Sequence, residues 1–293
     1  MKNAPILHRV EYAGYRLCRA VLYLLPHATA RGLGRGLGGL AHLVDRRHRR
    51  LAMSNLALAF PELGEASLRR MVADCFGHFG AALFETISAG RLDADALHAR
   101  LTVEGWKHLE TAEAAGKGLL VLGAHLGVWE ICAQVIAHDL GPMDVIVRPL
   151  DNPHLDAELI RERQRAGNRI LAKRGAARAI LKLFRGPAAR VGILIDQRVQ
   201  PNEGIRLPFF GRPAWTSPLL ARVSLRTGAP VVPIFCFPLP RGRYHFVARE
   251  PIWPGDEGPG AAESLTQHYI DVTEREIRRQ PEQWLWFHNR WRD

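Results

Sequence analysis

The chain is short of acids and of cysteine, and it has no long uninterrupted apolar run. Its 293 residues carry 29 Asp and Glu against 40 Lys and Arg, a formal net charge of +11. Such a field favours an anionic partner: nucleic acid, an anionic membrane or an acidic carrier protein. The four cysteines, Cys18, Cys75, Cys132 and Cys236, are far apart and none forms a CxxC pair. That excludes a zinc ribbon or a CxxC redox centre, and reads as buried thiols in a reducing compartment or on the cytosolic side of a membrane. No cluster of His, Cys, Asp and Glu has metal-ligand spacing, so no metal and no cofactor is expected. No GxSxG elbow suggests a serine hydrolase. No repeat, low-complexity tract or signal peptide with a small-residue cleavage site stands out.

Among apolar stretches, residues 6–28 come nearest to a membrane segment, but Arg9, Glu11, Arg16 and Arg19 interrupt them. The uncharged part, residues 20–25, is too short to span a bilayer. An amphipathic helix lying in the interface, its arginines near lipid phosphates, fits better; a surface helix of a soluble domain has the same pattern. Residues 1–60 hold ten Lys and Arg and only two acids, Glu11 and Asp45. Basic and apolar together suggest a membrane face more than a nucleic-acid arm. They set residues 1–60, basic membrane-associating helices, apart from an α/β domain over residues 61–293. Gly34, Gly36 and Gly39 match GxGxxG, but no strand precedes them, so small residues on a closely packed helix are the better reading.

After helices in the first hundred residues the pattern alternates. Strands are expected at 119–122, 144–147, 191–195, 230–237 and 244–248. Helices are expected at 128–138, 155–166, 176–184, 218–226 and 262–279. This predicts an α/β fold with a central, mostly parallel sheet flanked by helices.

Strand 119–122 runs into "GAHLGVWE", with His125 before the next helix and Glu130 five residues on. In one continuous helix that spacing would set the side chains about 140° apart. They can meet if His125 lies on the turn. Glu130 would then accept a hydrogen bond from one imidazole nitrogen and leave the other as a base. The residues alone equally allow a loop histidine and a surface glutamate.

HxxxxE after a buried strand resembles the H(x)4[D/E] motif of the lysophospholipid acyltransferase superfamily. "VIVRPLDNPHLD", "VGILIDQR", "GIRLPFFGRPAWT", "TGAPVVPIF" and "PEQWLWFHNRW" follow in order. Together they resemble the late, or secondary, lipid A acyltransferases, over essentially the whole chain. The resemblance implies a glycerolipid acyltransferase-like fold. It also implies acyl transfer from acyl carrier protein to a hydroxyl of a lipid A precursor, at the cytoplasmic face of the bacterial inner membrane. His125 would be the general base, Glu130 its orienting partner, and Arg148 the oxyanion donor or else a phosphate or structural arginine. The helix after His125 could add backbone N–H donors. Asp196 and Gln197, the "DQ", would face the same cleft, with Asp196 paired to Arg148 or Arg198. Phe209 and Phe210 would line an acyl channel or simply fill core; Gly211 would permit a tight turn and Arg212 would reach a phosphate. Trp284, Trp286 and Trp291 suit a lipid interface or packing on the domain. The alternatives are a related acyltransferase for another lipid acceptor (lysophospholipid, glycolipid or aminolipid) and an inactive lipid-binding protein. Nucleic acid is not expected, since no such motif is present.

Overall fold

The computed structural model describes residues 4–173, 175–186 and 188–292. Helices lead the chain: α1 (Ala4–Leu24), α2 (His27–Val44), α3 (Arg46–Ala59), α4 (Glu65–Ala89) and the short α5 (Ala94–His98). Strand and helix then alternate through β1 (Leu101–Glu104), α6 (Trp106–Ala114), β2 (Leu119–Gly123), α7 (Trp129–Asp139), β3 (Asp144–Val147), α8 (Pro153–Arg165), β4 (Arg169–Ala172), α9 (Ala176–Leu183) and β5 (Arg190–Leu194). A hairpin of β6 (Ile205–Phe209) and β7 (Arg212–Thr216) precedes α10 (Leu219–Thr227), β8 (Val231–Leu239), β9 (Arg243–Ala248) and α11 (Ala261–Arg279).

Seven strands form one sheet in the order β1-β9-β8-β2-β5-β3-β4, and only the β8–β9 pair is antiparallel. The expected α/β architecture with a mostly parallel sheet is therefore present. Central β2 is buried along its whole length because helices cover both faces. Leu120 and Leu122 join the core under α9, α10 and α11, while Leu119 and Val121 join the core under α6 and α7. The alternation follows from the two-residue period of a strand.

Two features depart from the sequence reading. Strand β4 and the β6–β7 hairpin were not expected. Pro208 and Pro213 face each other in the hairpin, and proline argues against a strand; here they sit in a two-stranded ribbon with free edges. Its turn is Phe210-Gly211, both at positive φ (51° and 69°), the conformation of a tight two-residue hairpin. The second departure is in the glycines of α2. Gly34 and Gly38, not Gly36 and Gly39, touch α4: a Cβ at Gly34 would lie 2.3 Å from the Gly80 carbonyl oxygen, and one at Gly38 2.1 Å from that of Phe76.

No helix among the described residues is long and apolar enough to cross a membrane. Helix α1 leans on α8: Arg19 pairs with Glu158 and, at 3.4 Å, with Glu162, and Tyr12 donates to Glu158 at 3.2 Å. Arg19 is thus turned towards protein carboxylates rather than lipid phosphates, whereas Arg9 and Arg16 stay exposed.

The glycine contacts set up a contrast. Gly38→Ala should lower the unfolding free energy by about 1–3 kcal/mol through overpacking. Gly36→Ala, where a Cβ meets nothing within 4 Å, should raise it by about 0.5–1 kcal/mol. Urea midpoints of the two variants check this, and equal shifts would refute the close α2–α4 approach.

Candidate active site

Strand β2 ends at Gly123, and α7 begins at Trp129. His125 lies on the turn between them. The turn is held from outside. Gly127 donates its N–H to the Gln283 carbonyl (3.0 Å), Val128 to Cys236 (2.8 Å), and Leu285 donates to the His125 carbonyl (3.2 Å). Gly127 takes φ +66°, and a Cβ there would strike the Cys236 carbonyl oxygen at 2.1 Å, so glycine is required.

Strand β5 runs parallel beside β2 with Gly123 opposite Leu194. Two residues beyond each, His125 and Asp196 therefore come abreast. His125 Nδ1 lies 2.9 Å from Asp196 Oδ1, and the His125 backbone N–H donates to Oδ2 at 2.9 Å. The Trp284 indole N–H donates to the same Oδ2 at 2.8 Å. The Asp196 side chain is wholly buried. Burial pushes its carboxyl up, but the charge and hydrogen bonds of His125 and the Trp284 indole outweigh it and hold the group at about 2. An ionised carboxylate only accepts, so Nδ1 carries the proton and Nε2 keeps its lone pair. Burial opposes the imidazolium; the Asp196 charge and hydrogen bond, with the Glu130 charge, prevail and raise the imidazole's affinity for a proton. Among the described residues Nε2 has no hydrogen-bond partner, and the side chain is 21% exposed.

The hydrogen bond assigned to Glu130 from sequence is made instead by Asp196. Glu130, in the first turn of α7, forms a two-pronged pair with Arg163 of α8 (3.0 and 2.6 Å). Asp196, its oxygens taken by His125 and the Trp284 indole, pairs with neither Arg148 nor Arg198. Arg198 turns its Nε to the Arg292 carbonyl (2.8 Å), and Arg148, exposed at the end of β3, makes no hydrogen bond or ion pair among the described residues. Gln197 is half-buried beside Asp196. The backbone amides of Gly127 and Val128 are already used, and Ile131 donates to the Val128 carbonyl (3.0 Å), which leaves the Trp129 and Glu130 amides as the orphan donors of the first turn of α7.

Phe209 and Phe210 are buried in an aromatic core with Phe60, Trp284, Trp286 and Trp291. Gly211 completes the hairpin turn, and exposed Arg212 donates to the Leu58 carbonyl at 3.3 Å. Trp284 and Trp286 are fully buried, so the C-terminal tryptophans pack on the domain. Buried Arg290 donates to the Trp215 carbonyl and Thr216 Oγ1 (both 2.6 Å).

Beside the turn lies a largely apolar cavity of about 90 Å³ between α7 and the sheet. Trp129, Glu130 and Arg163 line it together with Gly123, Val147 and Leu194, at the strand ends. The His125 ring meets Trp129 edge-on, centroids 5.2 Å apart. Sequence reasoning missed Arg163, which looks like one more charge in the run "RERQR", and the indole donor of Trp284, which is hidden in a tryptophan-rich segment.

A histidine hydrogen-bonded to a buried carboxylate, at the carboxyl end of a parallel strand and beside a largely apolar cavity, has the parts of a general base in an α/β enzyme. The model of the bacterial lipid A biosynthesis acyltransferase family matches residues 6–293, and the chain belongs to that family; it is an acyltransferase. It is 31% identical to the lipid A biosynthesis lauroyltransferase of Escherichia coli K12, over 92% of this chain and 87% of the relative. Identity to the palmitoleoyltransferase of the same organism is 28%, over 92% and 86%. A phosphatidylinositol mannoside acyltransferase of Mycobacterium tuberculosis H37Rv is 26% identical over 64% and 59%.

The His125–Asp196 pair fixes a pH signature. Its histidine share of stability is complete below the unfolded value of 6.5 and is lost as pH rises through the raised folded value. Its carboxylate share is complete above 3.8 and is lost as pH falls towards about 2. Asp196→Asn should therefore cost most stability between pH 3.8 and 6.5. Chemical denaturation of both proteins across pH checks this; a pH-independent difference would refute the pairing.

Proposed function

We propose that the enzyme moves a fatty acyl chain from an acyl thioester, with acyl carrier protein as donor, to a hydroxyl of a lipid A precursor. The proposal rests on the His125–Asp196 hydrogen bond beside the apolar cavity, together with the lipid A substrates in the names of the relatives. The acceptor hydroxyl gives its proton to His125 Nε2 as its oxygen attacks the thioester carbonyl. The tetrahedral intermediate then collapses, and the leaving thiolate takes the proton from the imidazolium. Asp196, rather than Glu130, holds the tautomer and balances the imidazolium charge. Glu130 holds Arg163 at the cavity and adds negative charge near His125. Arg148, exposed at the strand end and without a partner among the described residues, is the proposed oxyanion donor, with the Trp129 and Glu130 amides at the start of α7. The net charge of +11 suits an acidic carrier. The basic residues 1–60 suit the cytoplasmic face of the bacterial inner membrane.

In a radiolabelled transfer assay with lauroyl- or myristoyl-carrier protein and a tetra-acylated lipid A precursor, His125→Ala should lose about 10²–10⁴-fold in kcat. Wild-type activity in that variant would exclude the base assignment. Asp196→Asn should lose comparably and move the acid limb of the rate profile to lower pH, because the histidine loses the charge that raises it. An unmoved limb would exclude Asp196 as its partner. Transfer only to other lipids of a membrane extract would retain the chemistry and replace the acceptor.

A further inference from the structure

A second charge is buried behind the site. Arg290, in the segment after α11, has no exposed surface. A guanidinium keeps its charge at every working pH, so taking it out of water is costly unless an opposite charge compensates. Its hydrogen bonds go to neutral groups, the Trp215 carbonyl and Thr216 Oγ1, and it lies over the Phe209 ring, 5.0 Å from the centroid. Nε is buried without a hydrogen-bond partner, and no described carboxylate forms an ion pair with the guanidinium. Burial lowers it to about 10, and the charge that opposes this fall is that of Asp196.

The two charges do not touch, because His125 and the Trp284 indole already occupy the carboxylate. Aromatic rings connect them instead. Phe209, beneath the guanidinium, meets Trp284 with centroids 5.5 Å apart, and Trp284 holds Asp196. Rings screen a charge far less than water does, so the attraction carries across them. Neighbouring cations differ. Arg278 lies over Phe210 at 4.5 Å, but it is exposed and paired with Glu274 at 2.7 Å. His288 accepts the Arg198 backbone N–H on Nε2 at 2.8 Å, and burial holds it at about 4 against the pull of Asp196, so it is neutral.

We infer that Arg290 is a positioning residue for the proposed base: a buried counter-charge that tempers the field of Asp196 at His125. The inference rests on the general-base reading above. The groups that face the imidazole are Asp196 after β5, Glu130 of α7, Arg163 of α8 and His288 of the C-terminal segment. Both carboxylates favour the imidazolium. Arg163 opposes it, but Glu130 already holds Arg163 in the two-pronged pair. Arg290 is then the buried cation, among the described residues, that no contacting carboxylate cancels. A base that is already protonated cannot take the hydroxyl proton. The Asp196 charge must therefore fix the tautomer without keeping the ring charged. The same guanidinium ties the segment that carries Trp284 to the β6–β7 hairpin.

The test follows the His125 ring by NMR across pH, on the full chain in detergent micelles, with its signal identified by its loss in His125→Ala. Arg290→Met removes the charge at similar side-chain length. The His125 titration should rise by about half a pH unit or more, because Asp196 then favours the imidazolium without a counter-charge. The acid limb of acyl transfer should move up with it, opposite to the fall expected of Asp196→Asn. Arg290→Gln, neutral but still able to donate to the Trp215 carbonyl, gives the same reading if the methionine variant does not fold. Thr216→Val removes a hydrogen bond of the guanidinium and no charge; it should lower the urea midpoint and leave the titration in place. Arg278→Met should leave it in place too. An unmoved or lowered titration in the Arg290 variants overturns the inference. An equal rise in Thr216→Val also overturns it, since packing alone would then suffice, and so does an equal rise in Arg278→Met, since burial would then not matter. A raised titration in protein that transfers no acyl chain keeps the role of Arg290 and removes the proposed function. Normal transfer with an unmoved titration does the reverse.

Discussion

The site depends on one buried carboxylate. An ionised Asp196 with no exposed surface would cost several kcal/mol on the order of a bare buried charge, unless its lone pairs were filled. They are filled from separate parts of the chain: the backbone and ring of His125 on the turn after β2, and the indole of Trp284 near the C-terminus. The carboxylate itself follows β5. Moving any of these elements would strip a donor from the charge, so the same interaction that sets the histidine tautomer also fixes the loop that carries it. Fold and proposed chemistry share one constraint.

The C-terminal segment is the second half of that constraint. Its tryptophans resemble interfacial anchors in sequence, yet they form the wall behind the site. Asn55 of α3 and Cys75 of α4 donate to the carbonyls of this segment, Cys75 to Trp284 at 3.4 Å. Phe76 and Phe79 meet Phe287, with centroids 4.6 and 5.6 Å apart. The helical N-terminal part and the α/β part are thus joined through the strap that presents the Trp284 indole. A change at α3 or α4 has a short physical route to His125.

The interior of the α2–α4 contact and its exterior follow opposite rules. Inside, glycine removes side chains so that two backbones can meet. Outside, leucine and valine replace the polar residues that water would favour. A water-facing helix gains nothing from that exchange, because exposed apolar area is unfavourable. Helix α1 likewise exposes large apolar residues, Leu17 and Leu24 among them, but its Tyr12 and Arg19 are also held by carboxylates of α8.

Much of the fold was legible locally. The buried run at β2, the apolar strands β3, β5 and β8, and the helices between them carry their signal in short-range patterning, because a strand covered on both faces must be continuously apolar. The placing of His125 on a turn was also readable, since the apolar strand ends just before it and the next helix begins just after it. What the chain alone could not show was the partner of His125. Asp196 is 71 residues away, and it meets His125 only because β2 and β5 pair in parallel with Gly123 opposite Leu194. A shift of one residue in that register would turn the aspartate to the other face of the sheet. Glu130 was the nearer carboxylate in sequence, but α8 brings Arg163 to it, and the bidentate guanidinium pair takes its oxygens. Local periodicity determined the elements and the position of the histidine; strand register and helix packing decided which charge stands beside it.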